Sequence, residues 1–333
     1  MELSTKELLK WSAEVKLRQK SKQEARFEHG HRMCAGCGAP TVVKMVLMAT
    51  EYPVVVSNAT GCLEVSSCIQ DYTAWKVPWI HTAFENAAAT LAGVETMYRA
   101  LRKRESGKSS PAENVKFIAF GGDGGTYDIG LQSLSGAMER GHDMLYVCYD
   151  NGAYMNTGIQ RSSATPLGAD TTTSPIGSAN PGGKLQSRKD LTRIMAAHGI
   201  PYAAQASPSH WLDLMTKVKK AHEIKGPKFI NILSPCNRGW RTATDNSIEI
   251  SRLAVETCYW PLYEVEDGKL RVTVIPEEKK PADLFLKPQG RFKHLFAPEN
   301  EAFLKKVQGE IDRVWEGLLK ESAASAETGN RAG

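Results

Sequence analysis

The sequence has no long hydrophobic run. None of its apolar stretches approaches the ~20 residues that a transmembrane helix needs, so we predict that the protein does not enter a membrane. Residues 1–25 also lack the apolar core of a secretory signal peptide, because basic and acidic residues are interspersed there. We therefore expect a cytoplasmic protein.

The sequence also lacks a concentrated basic segment. Its formal net charge is +5, and the basic residues are spread along the chain rather than clustered. A nucleic-acid-binding surface would need a basic stripe with interleaved aromatic side chains, so we predict no nucleic-acid partner. A solvated surface explains the modest positive charge, although such a charge could also help an acidic redox partner to dock.

The seven cysteines are an odd number, and a reducing cytoplasm disfavours structural disulfides. Such cysteines are usually metal ligands, reactive thiols or small core residues. Four of them lie in loops or at strand ends beside glycine or proline: Cys34, Cys37, Cys62 and Cys236. Four thiolates fit either a [4Fe–4S] cluster or structural zinc, and their spacing alone leaves both open.

Strand and helix patterns alternate along the middle of the chain. Residues 115–120 have the pattern of a buried strand, followed by a glycine-rich loop, a helix to residue 140 and the strand MLYVCYDN. This order is a βαβ unit, which predicts an α/β fold with a mostly parallel sheet flanked by helices. Ligands of such sheets bind at the carboxyl ends of the strands. The serine-, threonine- and glycine-rich loop 161–189 is predicted to be functional or ordered by a neighbour.

We divide the chain into four parts. These are an N-terminal arm (1–28), a main cofactor-binding domain (29–260), a C-terminal extension with a small meander and a helix (261–318), and a disordered tail (319–333).

The segment Gly122-Asp123-Gly124-Gly125 directly follows the predicted strand 115–120. Its glycines allow the backbone to approach a phosphate closely, and the amino end of the next helix favours anions. Asn151 lies 28 positions after Asp123, where the βαβ unit returns the chain to the same sheet edge. The Asp123 carboxylate, the Asn151 amide oxygen and the Ala153 carbonyl are oxygen ligands of the kind that Mg²⁺ prefers. A glycine turn alone is weak evidence, and its pairing with Asn151 is more specific.

Several segments together resemble one enzyme family. MCAGCG, NATGCLEV, PWIHTAFENAAA, GGDGGTYDIGLQSLSGAMERGHD and YDNGAYMNTGIQRSSATPLGA closely resemble the thiamine diphosphate-binding (β) subunit of pyruvate:ferredoxin oxidoreductase and its 2-oxoacid:acceptor relatives. The likeness runs from about residue 30 to residue 261 and returns at 289–296. It implies the thiamine-diphosphate-binding fold of the pyrophosphate type with a short C-terminal extension.

The resemblance also implies which residues bind the cofactors. The [4Fe–4S] cluster nearest the thiamine diphosphate would be bound by Cys34, Cys37, Cys62 and Cys236. Mg²⁺ would be held by Asp123, Asn151 and the Ala153 carbonyl. The cofactor would be lined by Gly122, Gly124, Gly125, Gly61 and Cys62, and Asn156 would face its thiazolium ring and the substrate as the catalytic residue.

The reaction implied by the resemblance is the oxidative decarboxylation of a 2-oxoacid, with pyruvate favoured, to acyl-CoA and CO₂. Electrons would pass singly to the cluster. The implied partners are a pyrimidine-binding (α) subunit, a ferredoxin-like cluster subunit, ferredoxin or a similar acceptor, and coenzyme A. Because the α subunit would supply the glutamate that faces the aminopyrimidine ring, we expect this chain alone to be inactive.

Other interpretations remain open. The substrate could be a branched-chain 2-oxoacid, oxalate or phenylglyoxylate, and Gly152, where relatives tend to have an acidic residue, leaves that choice undecided. A non-redox thiamine decarboxylase or synthase would hold zinc or nothing at the cysteines, and a cluster scaffold would not bind thiamine. Cys148 is predicted to be a core residue, whereas the roles of Cys68, His81 and Glu64 stay undecided.

Overall fold

The computed structural model describes residues 24–69, 71–104 and 114–330. Its strands are β1 (Val54–Ala59), β2 (Cys68–Ile69), β3 (Tyr72–Thr73), β4 (Trp79–Thr82), β5 (Lys116–Gly122), β6 (Leu145–Asp150), β7 (Tyr202–Ala206), β8 (Lys228–Leu233), β9 (Leu262–Glu266) and β10 (Lys269–Val274). Eight of them form one sheet in the order β10-β9-β7-β8-β6-β5-β1-β4, and β2 pairs with β3.

The helices lie on both faces of this sheet and at its ends. They are α1 (Gly38–Met48), α2 (Cys62–Ser67), α3 (Ala87–Arg104), α4 (Leu131–Glu139), α5 (Leu191–Ala196), α6 (Trp211–Glu223), α7 (Asn237–Trp240), α8 (Ser247–Glu256), α9 (Asp283–Leu286) and α10 (Glu301–Asn330). Short 3₁₀ turns occur at Pro208–His210, Gly290–Phe296 and Pro298–Asn300. Across the described ranges, none of the helices has the length and apolarity that crossing a bilayer requires.

The six strands from β7 to β4 in the sheet order run parallel. Strands covered on both faces are continuous apolar runs, and β6 is buried along its whole length. Because successive side chains point to opposite faces, Val147 packs towards α1 and α6, whereas Cys148 packs towards α3 and α4. The predicted α/β architecture and the core position of Cys148 are therefore confirmed.

The predicted meander is part of the main sheet rather than a separate unit. β9 pairs antiparallel with β7, and β10 pairs antiparallel with β9. The prediction of a disordered tail at 319–333 is wrong as far as residue 330, because α10 extends to Asn330. The hydroxyls of Ser325 and Ser322 accept hydrogen bonds from the backbone N–H groups of Leu270 (3.2 Å) and Val272 (3.1 Å) of β10. These contacts hold a serine- and alanine-rich segment that buries little apolar surface.

Two other local predictions changed. The glycine-rich loop after β5 contains a buried π-helical turn, Gly124–Asp128. Most of the predicted N-terminal arm, residues 1–23, lies outside the described residues, but Phe27 at its end is 1% exposed and packs 4.8 Å from the ring of Trp75. The boundary at residue 28 therefore does not separate the end of the arm from the main core.

Candidate functional site

Four neighbouring strands bring the candidate residues to one cleft. Cys62 follows β1, Asp123 follows β5, Asn151 follows β6, and Cys236 follows β8. Because these strands are parallel neighbours, their carboxyl ends meet at the same edge of the sheet, where α/β proteins bind ligands. The cleft contains about 330 Å³ of space, part of it open to solvent. Its lining includes Gly61, Cys62, Gly122, Asp123, Gly124, Gly125, Asn151, Ala153 and Asn156.

Asp123 is fully buried at the base of this cleft. Its Oδ1 accepts a hydrogen bond from the backbone N–H of Asn151 at 3.1 Å, and its Oδ2 accepts one from the hydroxyl of Ser162. Burial raises the pKa of Asp123 well above its usual range, and the nearby Asp150 raises it further. A bound cation would offset both effects, since an adjacent positive charge favours the carboxylate.

One of the two terminal atoms of the Asn151 side-chain amide faces two oxygen atoms. That atom lies 2.8 Å from Asp123 Oδ1 and 2.9 Å from the carbonyl oxygen of Ala153. If it is the nitrogen of the NH₂ group, both contacts are hydrogen bonds. If it is the oxygen, three oxygens meet with no proton between them, at about the ~2.9 Å spacing of adjacent ligands around an octahedral Mg²⁺. We call Asp123, Asn151 and the Ala153 carbonyl the oxygen site.

A buried ion pair between Arg188 and Asp150 lies next to the oxygen site. Arg188 donates to Asp150 Oδ2 at 2.6 Å, and the Tyr127 hydroxyl donates to the same oxygen at 2.7 Å. Asp150 Oδ1 accepts a hydrogen bond from the backbone N–H of Gly152 at 3.1 Å, which fixes the turn that carries Asn151. The sequence interpretation did not include this pair. Asp150 could have been noticed because it directly precedes Asn151, whereas nothing in the sequence pointed to Arg188.

Close packing against neighbouring side chains leaves little room for a Cβ at two glycines of the cleft. A Cβ on Gly124 would lie 2.4 Å from the ring of Tyr154, and one on Gly125 would lie 3.2 Å from Phe84. The π-helical turn therefore accommodates only glycine at position 124 without movement of Tyr154. This leaves backbone, rather than side chains, facing the cleft.

The loop that carries Cys34 and Cys37 is docked against the segment that carries Cys236. The N–H of Gly38 donates to the carbonyl of Pro235 at 2.9 Å. Gly36 has φ +77°, and a Cβ there would lie 2.0 Å from the carbonyl oxygen of Thr244. Only glycine allows this approach, because the backbone is both left-handed and in contact with another backbone segment.

The thiols of Cys34, Cys37, Cys62 and Cys236 form one electrostatically coupled group, which we call the sulfur site. Burial, together with the charges of the other three thiols, raises the pKa of the Cys37 thiol to about 12. Burial likewise raises the pKa of Cys62 to about 11. Thiols of this kind stay protonated until a metal displaces the proton.

In this structure the side chains of the sulfur site do not form a ready-made site for one metal ion. Among the described residues, no three or more His, Cys, Asp or Glu side chains converge closely enough to hold one. Tetrahedral zinc with Zn–S bonds of about 2.3 Å would require sulfurs only ~3.8 Å apart. Cys236 Sγ accepts a hydrogen bond from the N–H of Gly239 at 3.3 Å, which is the kind of contact that stabilises cluster sulfur.

The two sites meet at Asn156. Cys62 Sγ lies 3.7 Å from Asn156 Oδ1, and both residues line the cleft with Asp123. The structure therefore brings Cys62, Asp123, Asn151, Ala153 and Asn156 into one cleft, and the thiols of Cys34 and Cys236 act on the pKa of Cys62. Ser162, in the loop 161–189, is 2% exposed and donates a hydrogen bond to Asp123.

The residues left undecided lie at the rim. His81 Nε2 is 3.1 Å from Thr60 Oγ1, and its Nδ1 is 3.6 Å from Glu64 Oε1. Glu64 is buried beside Cys62, whereas the side chain of His81 is 49% exposed. Cys68 is half-buried in β2.

The chain matches the model of the thiamine pyrophosphate enzyme C-terminal TPP-binding domain over residues 59–232, a range that includes the oxygen site. It is 55% identical over 302 residues to the pyruvate synthase subunit PorB of Thermotoga maritima, covering 90% of this chain and 92% of the relative. It is 44% identical over 303 residues to the ketoisovalerate oxidoreductase subunit VorB of Pyrococcus horikoshii, covering 90% and 96% of the two chains.

Among solved structures, a 2-oxoglutarate:ferredoxin oxidoreductase from Magnetococcus marinus with 2-oxoglutarate, coenzyme A and succinyl-CoA bound is similar in fold. The TM-score is 0.52 at 19% identity, and the match covers 68% of this chain and 79% of that chain. This likeness supports the predicted fold alone. The identities above to PorB and VorB and the matched TPP-binding domain show that the chain belongs to the thiamine pyrophosphate enzymes and, among them, to the β-subunit family of the 2-oxoacid oxidoreductases.

Proposed function

We propose that this chain is the thiamine diphosphate-binding subunit of a multi-subunit 2-oxoacid:ferredoxin oxidoreductase whose favoured substrate is pyruvate. The observation that carries the proposal is the meeting of the oxygen site and the sulfur site in one cleft, with Cys62 Sγ 3.7 Å from Asn156 Oδ1. A non-redox thiamine enzyme needs only the first site, and a cluster scaffold needs only the second. Oxidation of a thiamine-bound substrate needs both.

The oxygen site fits Mg²⁺ and the diphosphate of thiamine diphosphate. Asp123 and the amide and carbonyl oxygens of Asn151 and Ala153 would hold the ion, whose charge would stabilise the buried Asp123 carboxylate. The backbone of Gly122, Gly124 and Gly125 would approach the diphosphate, since these residues carry no side chain of their own. Bound thiamine diphosphate supplies the electron sink for loss of CO₂ from a 2-oxoacid.

The sulfur site fits a [4Fe–4S] cluster better than zinc. Each of the other three thiols raises the pKa of Cys37, and among the described residues no three ligand side chains are arranged to hold one ion, which a larger inorganic core accommodates better than a single ion does. Gly36 and Gly38 allow the loop of Cys34 and Cys37 to fold against Pro235 and Thr244. The chain would thereby fix the cluster at the edge of the cleft rather than on a separate domain.

Asn156 is the residue that we assign to the substrate. Its side chain is exposed in the cleft, and Oδ1 faces Cys62. An amide at this position can orient the carboxylate or keto oxygen of a 2-oxoacid by hydrogen bonds while keeping it beside the sulfur site. Its role would be to position the substrate and not to transfer protons, because an amide does not titrate.

Pyruvate is the favoured substrate because the chain is more similar to the pyruvate synthase subunit than to the ketoisovalerate enzyme, at 55% against 44% identity. The ketoisovalerate relative keeps a branched-chain 2-oxoacid as the second candidate. Oxalate and phenylglyoxylate are lesser ones. We further propose coenzyme A as acyl acceptor, a pyrimidine-binding α subunit, a ferredoxin-like cluster subunit and ferredoxin as partners, and a cytoplasmic location.

The first test is anaerobic iron, sulfide and zinc analysis of the purified full chain, together with its visible spectrum. We expect about four irons and four sulfides per chain, with an absorbance that bleaches on reduction. Stoichiometric zinc without iron would refute the redox function and leave a non-redox thiamine enzyme.

A second test concerns the missing half of the thiamine site. The chain alone, loaded with thiamine diphosphate and Mg²⁺, should not reduce an acceptor with pyruvate and coenzyme A, and adding the α subunit should restore activity. The reason is that a carboxylate against the aminopyrimidine ring is needed for the cofactor to lose its own proton. Turnover by the chain alone would contradict this division of the site.

A further inference from the structure

Arg291 is a buried cation between the two sites. It lies in the 3₁₀ turn Gly290–Phe296 and is 3% exposed. Its Nε donates to Gln289 Oε1 at 2.9 Å, and its guanidinium carbon lies 4.3 Å from the ring centroid of Trp240. Neither contact neutralises its charge, since one partner is an amide and the other an aromatic ring.

Trp240 connects this arginine to both sites. Its backbone N–H donates to the carbonyl of Cys236 at 2.8 Å within α7, and its indole N–H donates to the carbonyl of Asn151 at 2.6 Å. The guanidinium therefore rests on the side chain that joins the sulfur site to the oxygen site. Its charge acts on Cys236, Asp123 and Asp150.

Arg291 and Arg188 differ in whether a carboxylate pairs with the guanidinium. Arg188 forms an ion pair with Asp150 at 2.6 Å, whereas Arg291 forms no ion pair with any residue that the structure describes. A Cβ on Gly152 would lie 3.0 Å from Arg291 Nη1, so this neighbouring position provides no side chain that could pair with the guanidinium. A buried cation with no counter-ion is costly, which indicates that its partner is an anionic group at the site.

We propose that Arg291 is a positioning residue whose unpaired charge raises the reduction potential of the cluster held by the sulfur site. This inference rests on the proposed function. The cluster gains one negative charge when it accepts one electron, which comes from the decarboxylated substrate in the working complex. A fixed cation on the ring of Trp240, whose backbone N–H donates to the carbonyl of Cys236, would stabilise the reduced form of a cluster bound by Cys236, since net charge and nearby dipoles set such potentials. Burial lowers the pKa of Arg291 only to about 10, so the guanidinium keeps its charge at neutral pH.

The test is a potentiometric titration of the anaerobically purified full chain with dithionite, followed by electron paramagnetic resonance and visible absorbance. In Arg291→Gln, the ratio of reduced to oxidised cluster at the wild-type midpoint should fall about 10-fold, which corresponds to 59 mV for one electron. Arg291→Lys, which keeps the charge, should stay within about 2-fold.

A second pair of variants tests the same charge without removing Arg291. Gly152→Asp places a carboxylate next to Nη1 and should also lower the potential, whereas the matched Gly152→Ala adds the Cβ without charge and should not. Asp tolerates the left-handed backbone at φ +76° better than most residues do. If Arg291→Gln loses its iron, this pair decides the question.

The outcomes separate the two hypotheses. Iron-loaded Arg291→Gln and Gly152→Asp with the wild-type midpoint would refute the role of Arg291 and leave the proposed function intact. A wild-type chain with thiamine diphosphate but no iron would refute the proposed function itself.

Discussion

The oxygen site and the sulfur site are built in opposite ways. Asp123 and Asn151 directly follow strands of the sheet, and Asp123 is held by hydrogen bonds from Ser162 and from the Asn151 backbone. Cys34 and Cys37 lie in the loop before α1, whereas Cys62 begins α2 and Cys236 immediately precedes α7. Burial and the neighbouring thiols raise the pKa of the half-buried Cys37 to about 12. The oxygen site is therefore held in place by the fold itself, whereas a metal bound at the sulfur site would have to displace protons from thiols of raised pKa.

The largest expected effect is at the oxygen site. Asp123→Asn keeps the shape of the side chain but removes its charge, and should weaken Mg²⁺-dependent binding of thiamine diphosphate by more than ~100-fold, because a hard cation needs the carboxylate. Isothermal titration calorimetry of the full chain measures this. Ser162→Ala, which removes only a hydrogen bond to Asp123, should cost about 10-fold.

If the two sites are independent, the iron content of Asp123→Asn should equal that of the wild type. A parallel loss of iron would show that the sulfur site depends on the oxygen site. A variant that binds thiamine diphosphate normally would remove Asp123 from the site.

The second largest expected effect is at the sulfur site. Cys236→Ser should reduce iron from about four per chain to three or fewer, since a serine hydroxyl is a poor cluster ligand. Binding of thiamine diphosphate should change by less than about 3-fold, because Asp123 and Asn151 keep their own strand anchors. Iron analysis and calorimetry of the same preparation provide both values.

Cys68→Ser is the matched control, because Cys68 is a half-buried cysteine outside the sulfur site. It should keep the full iron content. An equal loss of iron in this control would make Cys68 a ligand and would change the assignment of the four thiols.

The smallest expected effect comes from comparing Gly36, in the loop that carries Cys34 and Cys37, with Gly30, which lies in another turn. Gly30 and Gly36 both have positive φ, +91° and +77°, but a Cβ on Gly30 meets nothing within 4 Å, whereas one on Gly36 meets a backbone oxygen at 2.0 Å. Gly30→Ala should cost about 1 kcal/mol of unfolding free energy for the left-handed backbone. Gly36→Ala should cost about 2 kcal/mol more for the clash.

Urea denaturation of both metal-free variants, followed by tryptophan fluorescence, measures the difference. Equal midpoints and slopes would show that the cysteine loop moves away from Thr244 when no metal is bound. That result would make the sulfur site even less preformed than the structure indicates.

The sequence predicted the parts of the molecule that depend on local periodicity. The apolar run of β6 and the 28-residue spacing between Asp123 and Asn151 follow from one βαβ unit, so the oxygen site could be located before the fold was known. The loop position of Cys34 and Cys37 could be predicted for the same reason, whereas Cys62, expected in a loop, begins α2. Neither their docking nor the choice between iron and zinc follows from spacing.

The parts that could not be predicted depend on contacts between distant segments. Ser162 reaches Asp123 across 39 residues from a segment with no periodicity, and Arg291, from the last quarter of the chain, is buried beside Gly152 and Trp240. Lys184, which lies with Ser162 in the loop 161–189, is 1% exposed and donates a hydrogen bond to the carbonyl of Thr165. A burial this complete is not expected from a serine- and glycine-rich composition, because it is imposed by the elements around the loop.

The bonds between α10 and β10 also bear on solubility. The outer strand of an open sheet offers unpaired N–H groups to any other strand, and proteins must cover or interrupt such edges to avoid aggregation. Ser322 and Ser325 occupy two of these donors on β10, so the carboxy-terminal helix caps the antiparallel end of the sheet. Loss of these last turns would expose a template for pairing between chains while leaving the distant cofactor cleft unchanged.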